Sequence, residues 1–317
     1  MECDCDKMLV KVPASSANLG SGFDSIGVAV NLYLTIEVEK SSELSFHWQG
    51  HLAGLDIRPE DNLILEGMKQ VFHLQGKSVP PLSLTVNSDI PLTRGLGSSA
   101  SAYVAGLVIA NHYLGKPLSE DKLLWLATEK EGHPDNVGPA LFGGVFLACV
   151  NWEEKRVIHH RQPFPEEWKL VVAIPSYPLS TKKAREILPS HYTKAESVFN
   201  ISRFGMLVSA LFTKNKEALK LGLEDALHQP FRKHLIPGFE ELLAERDELG
   251  VLGFVISGAG PTVLAIMDES ADEDRVMQRM HQRLTVEGHD VDVKRIEVDN
   301  QGYAVEYIMY NRSGHVD

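Results

Sequence analysis

The chain has 317 residues, more than one ordinary hydrophobic core accommodates, so we expect two domains. Its hydrophobic content of 44% and its charged content of 23% are those of a soluble globular protein. The formal net charge of −12 disfavours nonspecific binding to nucleic acid or to an anionic membrane because the mean field repels polyanions, although a small phosphorylated ligand needs only local positive potential.

The length of the apolar runs and the number of cysteines indicate the cellular compartment of the protein. No apolar run approaches the roughly 20 residues of a membrane span, so we predict no membrane partner. The three cysteines, Cys3, Cys5 and Cys149, are sparse and odd in number, which fits a reducing cytoplasm better than a disulfide framework. Cys3 and Cys5 could bind a metal with the neighbouring aspartates, but no second ligand pair accompanies them, so an acidic terminus without a metal is favoured.

The first half of the chain alternates between strand and helix patterns. Its β-rich segments predict strands at 8–12, 32–38, 82–86 and 143–150. Helices are predicted at 61–74, with Asp61 as the candidate N-cap, after a glycine-rich loop up to about Leu114, and from Ser119 as N-cap to about Lys130.

A fresh apolar strand at 169–175 opens the second half. The stretch before it, 162–168, contains two prolines and could be a hinge. Further helices are predicted at 194–212, 216–223, 238–249 and 272–287, and further strands at 251–256, 262–267 and 291–298. The alternation indicates two α+β domains, 1–165 and 166–317.

The glycine- and serine-rich loop at 91–101 predicts phosphate binding. Gly95 and Gly97 let bare backbone N–H groups approach an anion closely. Ser98 or Ser99 can cap the helix that follows, and a helix N-terminus carries about half a positive charge. The glycine spacing matches neither the P-loop pattern nor the dinucleotide fingerprint.

Three other segments are unusually polar or glycine-rich. Segment 13–24 follows a strand and holds two glycines, an asparagine and an aspartate, and as a bland alternative it is an ordinary connection. Segment 129–138 places a histidine beside acidic and amide side chains, and Glu131 could reach a divalent metal. Segment 257–261 is a tight turn after a buried strand. It could stiffen the phosphate loop by packing against it, with a purely structural turn as the default.

Jointly, segments 13–24, 91–101 and 258–260 resemble, in order and separation, the three motifs of the GHMP small-molecule kinases. Within that superfamily the chain resembles the homoserine kinases through four strings, at 18–24, 132–137, 179–185 and 228–237. This resemblance covers nearly the whole sequence.

The resemblance implies an α+β fold with two domains: an N-terminal domain like domain 2 of ribosomal protein S5, and a C-terminal ferredoxin-like domain. ATP, Mg²⁺ and L-homoserine would lie between them, where inter-domain clefts commonly hold ligands. A homodimer is also implied. Members of the family transfer the γ-phosphoryl group of ATP to the side-chain hydroxyl of L-homoserine.

The resemblance also assigns roles to individual residues. Asn18 and Asp24 would line the substrate pocket, with Asp24 facing the ammonium group, and Arg185 and Arg232 would bind the carboxylate. The residues expected to bind ATP, with Asn62 near the adenine, are Asn62, Pro91, Leu92, Thr93, Arg94, Gly95, Leu96, Gly97, Ser98 and Ser99. The side chains expected at the reacting hydroxyl are His133, Asn136 and Thr181.

Two points depart from the family pattern. In the family a glutamate joins the serine that corresponds to Ser98 at the metal, but this chain has Trp125 at the nearest ungapped position. Glu131 or Glu129 must therefore substitute for it, and we favour Glu131. Arg94 could add positive charge near the nucleotide or face solvent.

The sequence also bears on the catalytic base. Mevalonate kinase and galactokinase use an aspartate near the acceptor hydroxyl, where this chain has Asn136, which accepts no proton at neutral pH. We therefore predict in-line transfer without a side-chain general base, with Asp135 as the rival candidate. The alternative functions are another kinase of the superfamily, such as mevalonate kinase, and a non-catalytic small-molecule sensor.

Overall fold

The computed structural model describes residues 7–308, which contain two β-sheets. The strands of the first sheet are β1 (Lys7–Ala17), β2 (Ile26–Lys40), β3 (Ser45–Gly50), β4 (Leu82–Ser88), β5 (Val145–Asn151), β6 (Arg156–Gln162) and β11 (Ala304–Ile308). They run in the order β11-β1-β2-β4-β3, with β5 pairing to both β2 and β6. Only the β3–β4 pair among them is parallel.

The second sheet is antiparallel and comprises β7 (Lys169–Pro175), β8 (Gly253–Ile256), β9 (Val263–Met267) and β10 (Val291–Ile296). Its order is β10-β7-β9-β8, and helices separate β7 from β8 and β9 from β10. This β-α-β-β-α-β alternation is the ferredoxin-like pattern. The predicted boundary near residue 165 falls between β6 and β7, and β11 returns to the first sheet. The boundary itself stays a prediction.

The helices are α1 (Leu63–Leu74), α2 (Ser98–Tyr113), α3 (Glu120–Glu131), α4 (Val137–Phe142), α5 (Thr181–Glu186), α6 (Lys194–Thr213), α7 (Lys216–Gly222), α8 (Gln229–Arg232), α9 (Phe239–Glu245) and α10 (Glu273–Leu284). Ser119 caps α3 as predicted, because its side chain accepts from the N–H of Lys122. The prediction that Asp61 caps α1 is wrong. Asn62 accepts from the N–H of Leu65, whereas Asp61 is engaged by Arg58.

Helix α2 is buried between α1 and β1 and fixes the position of the phosphate loop. A Cβ atom on Gly106 would lie 2.1 Å from the carbonyl oxygen of Ile64, and one on Gly67 would lie 2.4 Å from that of Tyr103. The two glycines therefore let α1 and α2 touch backbone to backbone. The stretch at 162–168 is anchored rather than loose, since Phe164 and Trp168 are buried and meet edge to face.

Candidate active site

The phosphate loop connects β4 to α2 and is held by its carbonyl groups. The oxygens of Thr93, Arg94, Gly95 and Leu96 accept hydrogen bonds from Leu179 N, Thr262 N, Ser257 Oγ and Ser15 N, respectively. In a trans peptide the N–H points opposite to the C=O of the preceding residue. The next N–H groups along the loop are therefore turned away from these partners, which is the arrangement an anion requires.

Glycine is required where the loop enters the helix. Gly97 is the N-cap of α2 with φ 70° and has no side chain that can cap the first turn. The proposed capping by Ser98 or Ser99 is wrong, because both residues are already inside the helix. The first-turn amides of α2 have no carbonyl partner within the helix, so they are available to a ligand.

The turn at 257–261 packs directly against the loop, which is the contact by which it could stiffen the loop. A Cβ atom on Gly95, which has φ 78°, would lie 2.2 Å from the carbonyl oxygen of Ser257. The side chain of Arg94 crosses to the second sheet and donates to the carbonyl oxygens of Pro175 and Ser176. Arg94 therefore fastens the loop to the end of β7, and its guanidinium is neither free in solvent nor turned to the cavity.

A cavity of about 110 Å³ lies beside the loop and is bounded by most of the predicted site residues. The predicted residues that line it are Asn18, Asp24, Thr93, Gly95, Gly97, Ser98, Ser99, Glu131, His133, Asn136, Thr181, Arg185 and Arg232. Segments more than 150 residues apart along the chain thus converge on one site. Pro91, Arg94 and Leu96 are not among its lining residues, and Leu96 is buried.

A larger, more apolar cavity of about 410 Å³ adjoins it. Asn62 and Leu92 line this second cavity, together with Trp48 and Ile57. Thr93, Ser98 and Ser99 border both cavities, so the phosphate loop forms their shared wall. The contribution of Trp48 was not predicted from the sequence, because strand β3 was not predicted.

Asp24 and Arg185 form a bidentate ion pair in the first cavity. The Arg185 Nη1 and Nη2 atoms donate to the two carboxylate oxygens at 3.0 and 2.7 Å. Asp24 has φ 54°, and its N–H donates to the Oδ1 of Asn18. The Nδ2 of Asn18 in turn donates to the carbonyl oxygen of Gly258. Asn18 therefore orients Asp24 against the turn at 257–261.

Arg232 is buried, with 2% of its surface exposed. Its Nε donates to Ala184 O and its Nη1 to Gly258 O, and no carboxylate within residues 7–308 forms an ion pair with it. Burial, with the nearby charge of Arg185, lowers the pKa of Arg232 to about 10. Burying an unpaired cation is costly, so this arrangement is a strong indication of an anion site.

His133 is held between two acids. Its Nδ1 contacts the Oδ1 of the buried Asp135, and its Nε2 lies 4.0 Å from the Oε1 of Glu131. Burial lowers the pKa of His133, but the charges of Asp135, Asp24 and Glu131 outweigh burial and leave the pKa raised. The neighbouring carboxylates therefore favour the protonated form of the ring.

Asn136 stands beside the phosphate loop. Its Oδ1 accepts from the Oγ of Ser15 at 2.9 Å, and a Cβ atom on Gly97 would come within 3.0 Å of that Oδ1. Ser15 was not singled out from the sequence, although it lies in segment 13–24. An asparagine at this point can orient a hydroxyl group against the loop but cannot take its proton.

Oxygen donors for a hard cation are present in the same cavity. Ser98 and Glu131 both line it, whereas Glu129 is exposed and does not. Burial raises the pKa of Glu131, and a bound cation would act in the opposite direction by favouring the ionised carboxylate. Hydroxyl and carboxylate oxygens suit Mg²⁺, which completes its shell with phosphate oxygens and water.

No helix within residues 7–308 has the length and apolarity needed to cross a membrane. Cys149 is a free, exposed thiol on β5, whereas Cys3 and Cys5 lie outside the described residues.

Comparisons with known proteins identify relatives over most of the chain. Models of the GHMP kinases N terminal domain and of the GHMP kinases C terminal domain match residues 62–144 and 207–285. A homoserine kinase of Carboxydothermus hydrogenoformans is 43% identical over 88% of this chain and 91% of its own length. One from Desulfitobacterium hafniense is 40% identical over 93% and 99%.

Solved structures give the same result. The crystal structure of homoserine kinase from Cytophaga hutchinsonii superposes with a TM-score of 0.83 at 28% identity, covering 96% of this chain and 99% of that one. A mevalonate kinase structure at 16% identity, TM-score 0.65, shares the fold alone.

The two-domain fold and the glycine-rich loop at the N-terminus of a buried helix are those of a GHMP small-molecule kinase. Within that class, the chain belongs to the homoserine kinase family. Membership in a kinase family implies ATP as the phosphoryl donor.

Proposed function

We propose that this protein transfers the γ-phosphoryl group of ATP to the side-chain hydroxyl of L-homoserine, forming O-phospho-L-homoserine for threonine biosynthesis. The observation that carries the proposal is the buried Arg232 guanidinium without a carboxylate partner, in the same cavity as the Asp24–Arg185 pair. One acid and two guanidinium groups, one of them unpaired, complement a zwitterion.

The ion pair explains how an amino acid is selected. The substrate carboxylate would bind between Arg185 and Arg232. The ammonium group of the substrate would lie against Asp24 and neutralise part of its charge. Mevalonate carries a carboxylate but no ammonium group, and its binding at the arginines would leave Asp24 without a new partner. Desolvating such a charge is unfavourable, which favours homoserine over mevalonate.

The two adjoining cavities fit a nucleotide. The triphosphate would bind the amides of Gly95–Ser99, and the apolar cavity beyond Ser99 would take the base near Asn62. The N-cap of α1 uses only the Oδ1 atom of Asn62, which accepts from the N–H of Leu65. The Nδ2 atom of Asn62 is therefore not engaged by the cap. A single nucleotide could therefore occupy both cavities, with its phosphates at the loop that forms their shared wall.

Positioning supplies most of the catalysis in this mechanism. Ser98 and Glu131 would hold Mg²⁺, which neutralises negative charge on the phosphates when bound. Asn136 orients the attacking hydroxyl, with Thr181 nearby at the start of α5. His133, whose protonated form the neighbouring Asp135 favours, would lie in the same cavity as the transferred group. The hydroxyl proton passes late to the phosphoryl oxygens, without a side-chain general base.

A coupled assay with homoserine and mevalonate side by side tests the proposal. We expect turnover with homoserine only. Arg232→Met, which fills a similar volume without charge, should raise the KM for homoserine by roughly 100-fold, the cost of a charged hydrogen-bonded contact, and leave the KM for ATP unchanged. Turnover of mevalonate at an equal or higher kcat/KM would reject the assignment.

We also propose a homodimer that acts in the cytoplasm. The sparse cysteines support the compartment. Helix α6 supports the dimer, since it exposes the apolar side chains Val198, Ile201, Met206 and Phe212 around Gly205, beside which a Cβ atom would meet open space. Light scattering of the purified protein should give twice the monomer mass. Ile201→Glu should reduce it to the monomer mass.

A further inference from the structure

His228 is a buried histidine that the proposed mechanism does not use. It is the residue before α8 and is 0% exposed. Its Nε2 lies 2.8 Å from the carbonyl oxygen of Gly20, and its Nδ1 lies 3.3 Å from the Nη1 of Arg232. Its ring stacks on Phe23 with centroids 5.1 Å apart. The histidine thus joins the arginine to the loop that carries Asp24.

Only one tautomer satisfies both contacts. A guanidinium group has no acceptor, so Nδ1 must accept from Arg232, and Nε2 must carry the proton that is donated to Gly20. Burial lowers the pKa of His228, although the carboxylate of Asp225, 3.4 Å from Nε2, opposes that shift. The ring is therefore neutral at neutral pH, which is the state that the contact with Arg232 requires.

The contact determines which edge of the guanidinium group is available. Nε of Arg232 is bound to Ala184 O, and Nη1 is shared between Gly258 O and His228. Within the part of the chain that the structure describes, Nη2 has no hydrogen-bond partner. Because the guanidinium group is planar, fixing Nε and Nη1 also fixes the direction of the Nη2 donors.

We propose that His228 is a positioning residue for substrate recognition: as a neutral Nε2–H ring it holds Nη1 of Arg232, so that Nη2 presents its donors to the carboxylate of the amino acid. The inference rests on the proposed function and deepens it. The bond to Gly20 also links this subsite to the 18–24 loop, so the groups that bind the carboxylate and the ammonium keep a fixed spacing.

Two substitutions of His228 distinguish its contact with Arg232 from its contact with Gly20. In His228→Asn the amide oxygen falls near the position of Nδ1 and can still accept from Arg232. In His228→Gln the amide nitrogen falls near Nε2 and can still donate to Gly20, but the acceptor for Arg232 is lost. We expect His228→Gln to raise the KM for homoserine roughly tenfold to a hundredfold, and His228→Asn to raise it at least fivefold less. The KM for ATP should stay unchanged in both.

A substrate without the carboxylate provides the second readout. 3-Aminopropan-1-ol keeps the hydroxyl and ammonium groups of homoserine but cannot engage Arg232. His228→Gln should therefore reduce the preference for homoserine over this analogue by the same factor as the rise in KM. The matched control is His112→Gln, a buried histidine on α2 outside the site, which should leave that preference unchanged.

Equal effects of His228→Gln and His228→Asn on the homoserine KM, or an equal rise in the KM for ATP, would overturn the inference. If neither variant folds, ¹⁵N-histidine NMR of the wild-type protein decides, since protonated Nδ1 at His228 contradicts the proposed tautomer and protonated Nε2 supports it. Absence of homoserine turnover by the wild-type protein would instead reject the proposed function, so the two failures are distinguishable.

Discussion

Substitution of Gly95 by alanine tests whether the second sheet shapes the phosphate loop. Gly95 has φ 78°, where an L-residue costs about 1–2 kcal/mol relative to glycine. The new Cβ atom would also lie 2.2 Å from Ser257 O, and 2.9 Å and 3.0 Å from the backbone N and O of Gly260. All three contacts are to backbone, so no side chain can swing aside to relieve them.

The clash has a predictable size. To reach an ordinary contact of 3.4 Å, the loop and the turn must separate by about 1.2 Å. That movement breaks the bond from Ser257 Oγ to Gly95 O and weakens the one from Thr262 N to Arg94 O, at about 1 kcal/mol each. With the backbone strain, we expect the free energy of unfolding to fall by about 3–4 kcal/mol.

Urea unfolding and binding of a fluorescent ATP analogue measure the two consequences. Displaced amides no longer converge on the phosphates, so the Kd for the analogue should rise at least about tenfold. Gly288→Ala is the matched control, since Gly288 has φ 80° and its Cβ atom would meet open space. The control should lose only the 1–2 kcal/mol of backbone strain. Equal losses of stability, together with an unchanged Kd, would refute the reasoning.

Three further predictions concern the first cavity. Asp24→Asn removes the negative charge that we propose as the partner of the substrate ammonium group, so the KM for homoserine should rise roughly 10- to 100-fold with an unchanged KM for ATP; a matching rise in both would contradict this role. Asp135→Asn should lower the single-turnover rate less than about tenfold, because a positioned base typically contributes 10²–10⁴-fold; a thousandfold loss would make Asp135 the base. The pKa of His133 is raised in the folded protein beside Asp135. The ion pair therefore stabilises the fold fully below the unfolded pKa of about 6.5, and this stabilisation is lost as the pH rises through the folded pKa. In urea unfolding, His133→Gln should therefore be more destabilising at about pH 6 than at about pH 9, and the reverse order would show that the pKa is lowered.

The elements predicted from sequence were those with a long, regular pattern. Strands β4 and β7 and helices α2, α3 and α6 were predicted at nearly their observed bounds, whereas β1 continues to Ala17, beyond the predicted end at residue 12. Helices α4, α5 and α8 have six residues or fewer, too few for a 3.6-residue period to show. Strand β3 did carry a signal, since Phe46 and Trp48 alternate with polar residues and their rings stack 5.5 Å apart.

The composition of the site could be predicted from sequence, but its internal pairing could not. Glycine and serine at 95–99 act through local backbone geometry, which a short string reveals. The ion pair of Asp24 with Arg185 joins residues 161 positions apart, and the direction of the Arg94 side chain depends on where β7 ends. Both depend on how the two sheets meet, which no local pattern encodes.

The turn at 257–261 unites the subsites physically. The carbonyl oxygen of Gly258 accepts from Nδ2 of Asn18 and from Nη1 of Arg232, both at 3.0 Å, while the neighbouring Ser257 donates to Gly95. One short segment therefore holds the phosphate loop, the residue that orients Asp24, and the arginine that we propose for the carboxylate. A displacement of the second sheet would move all three together.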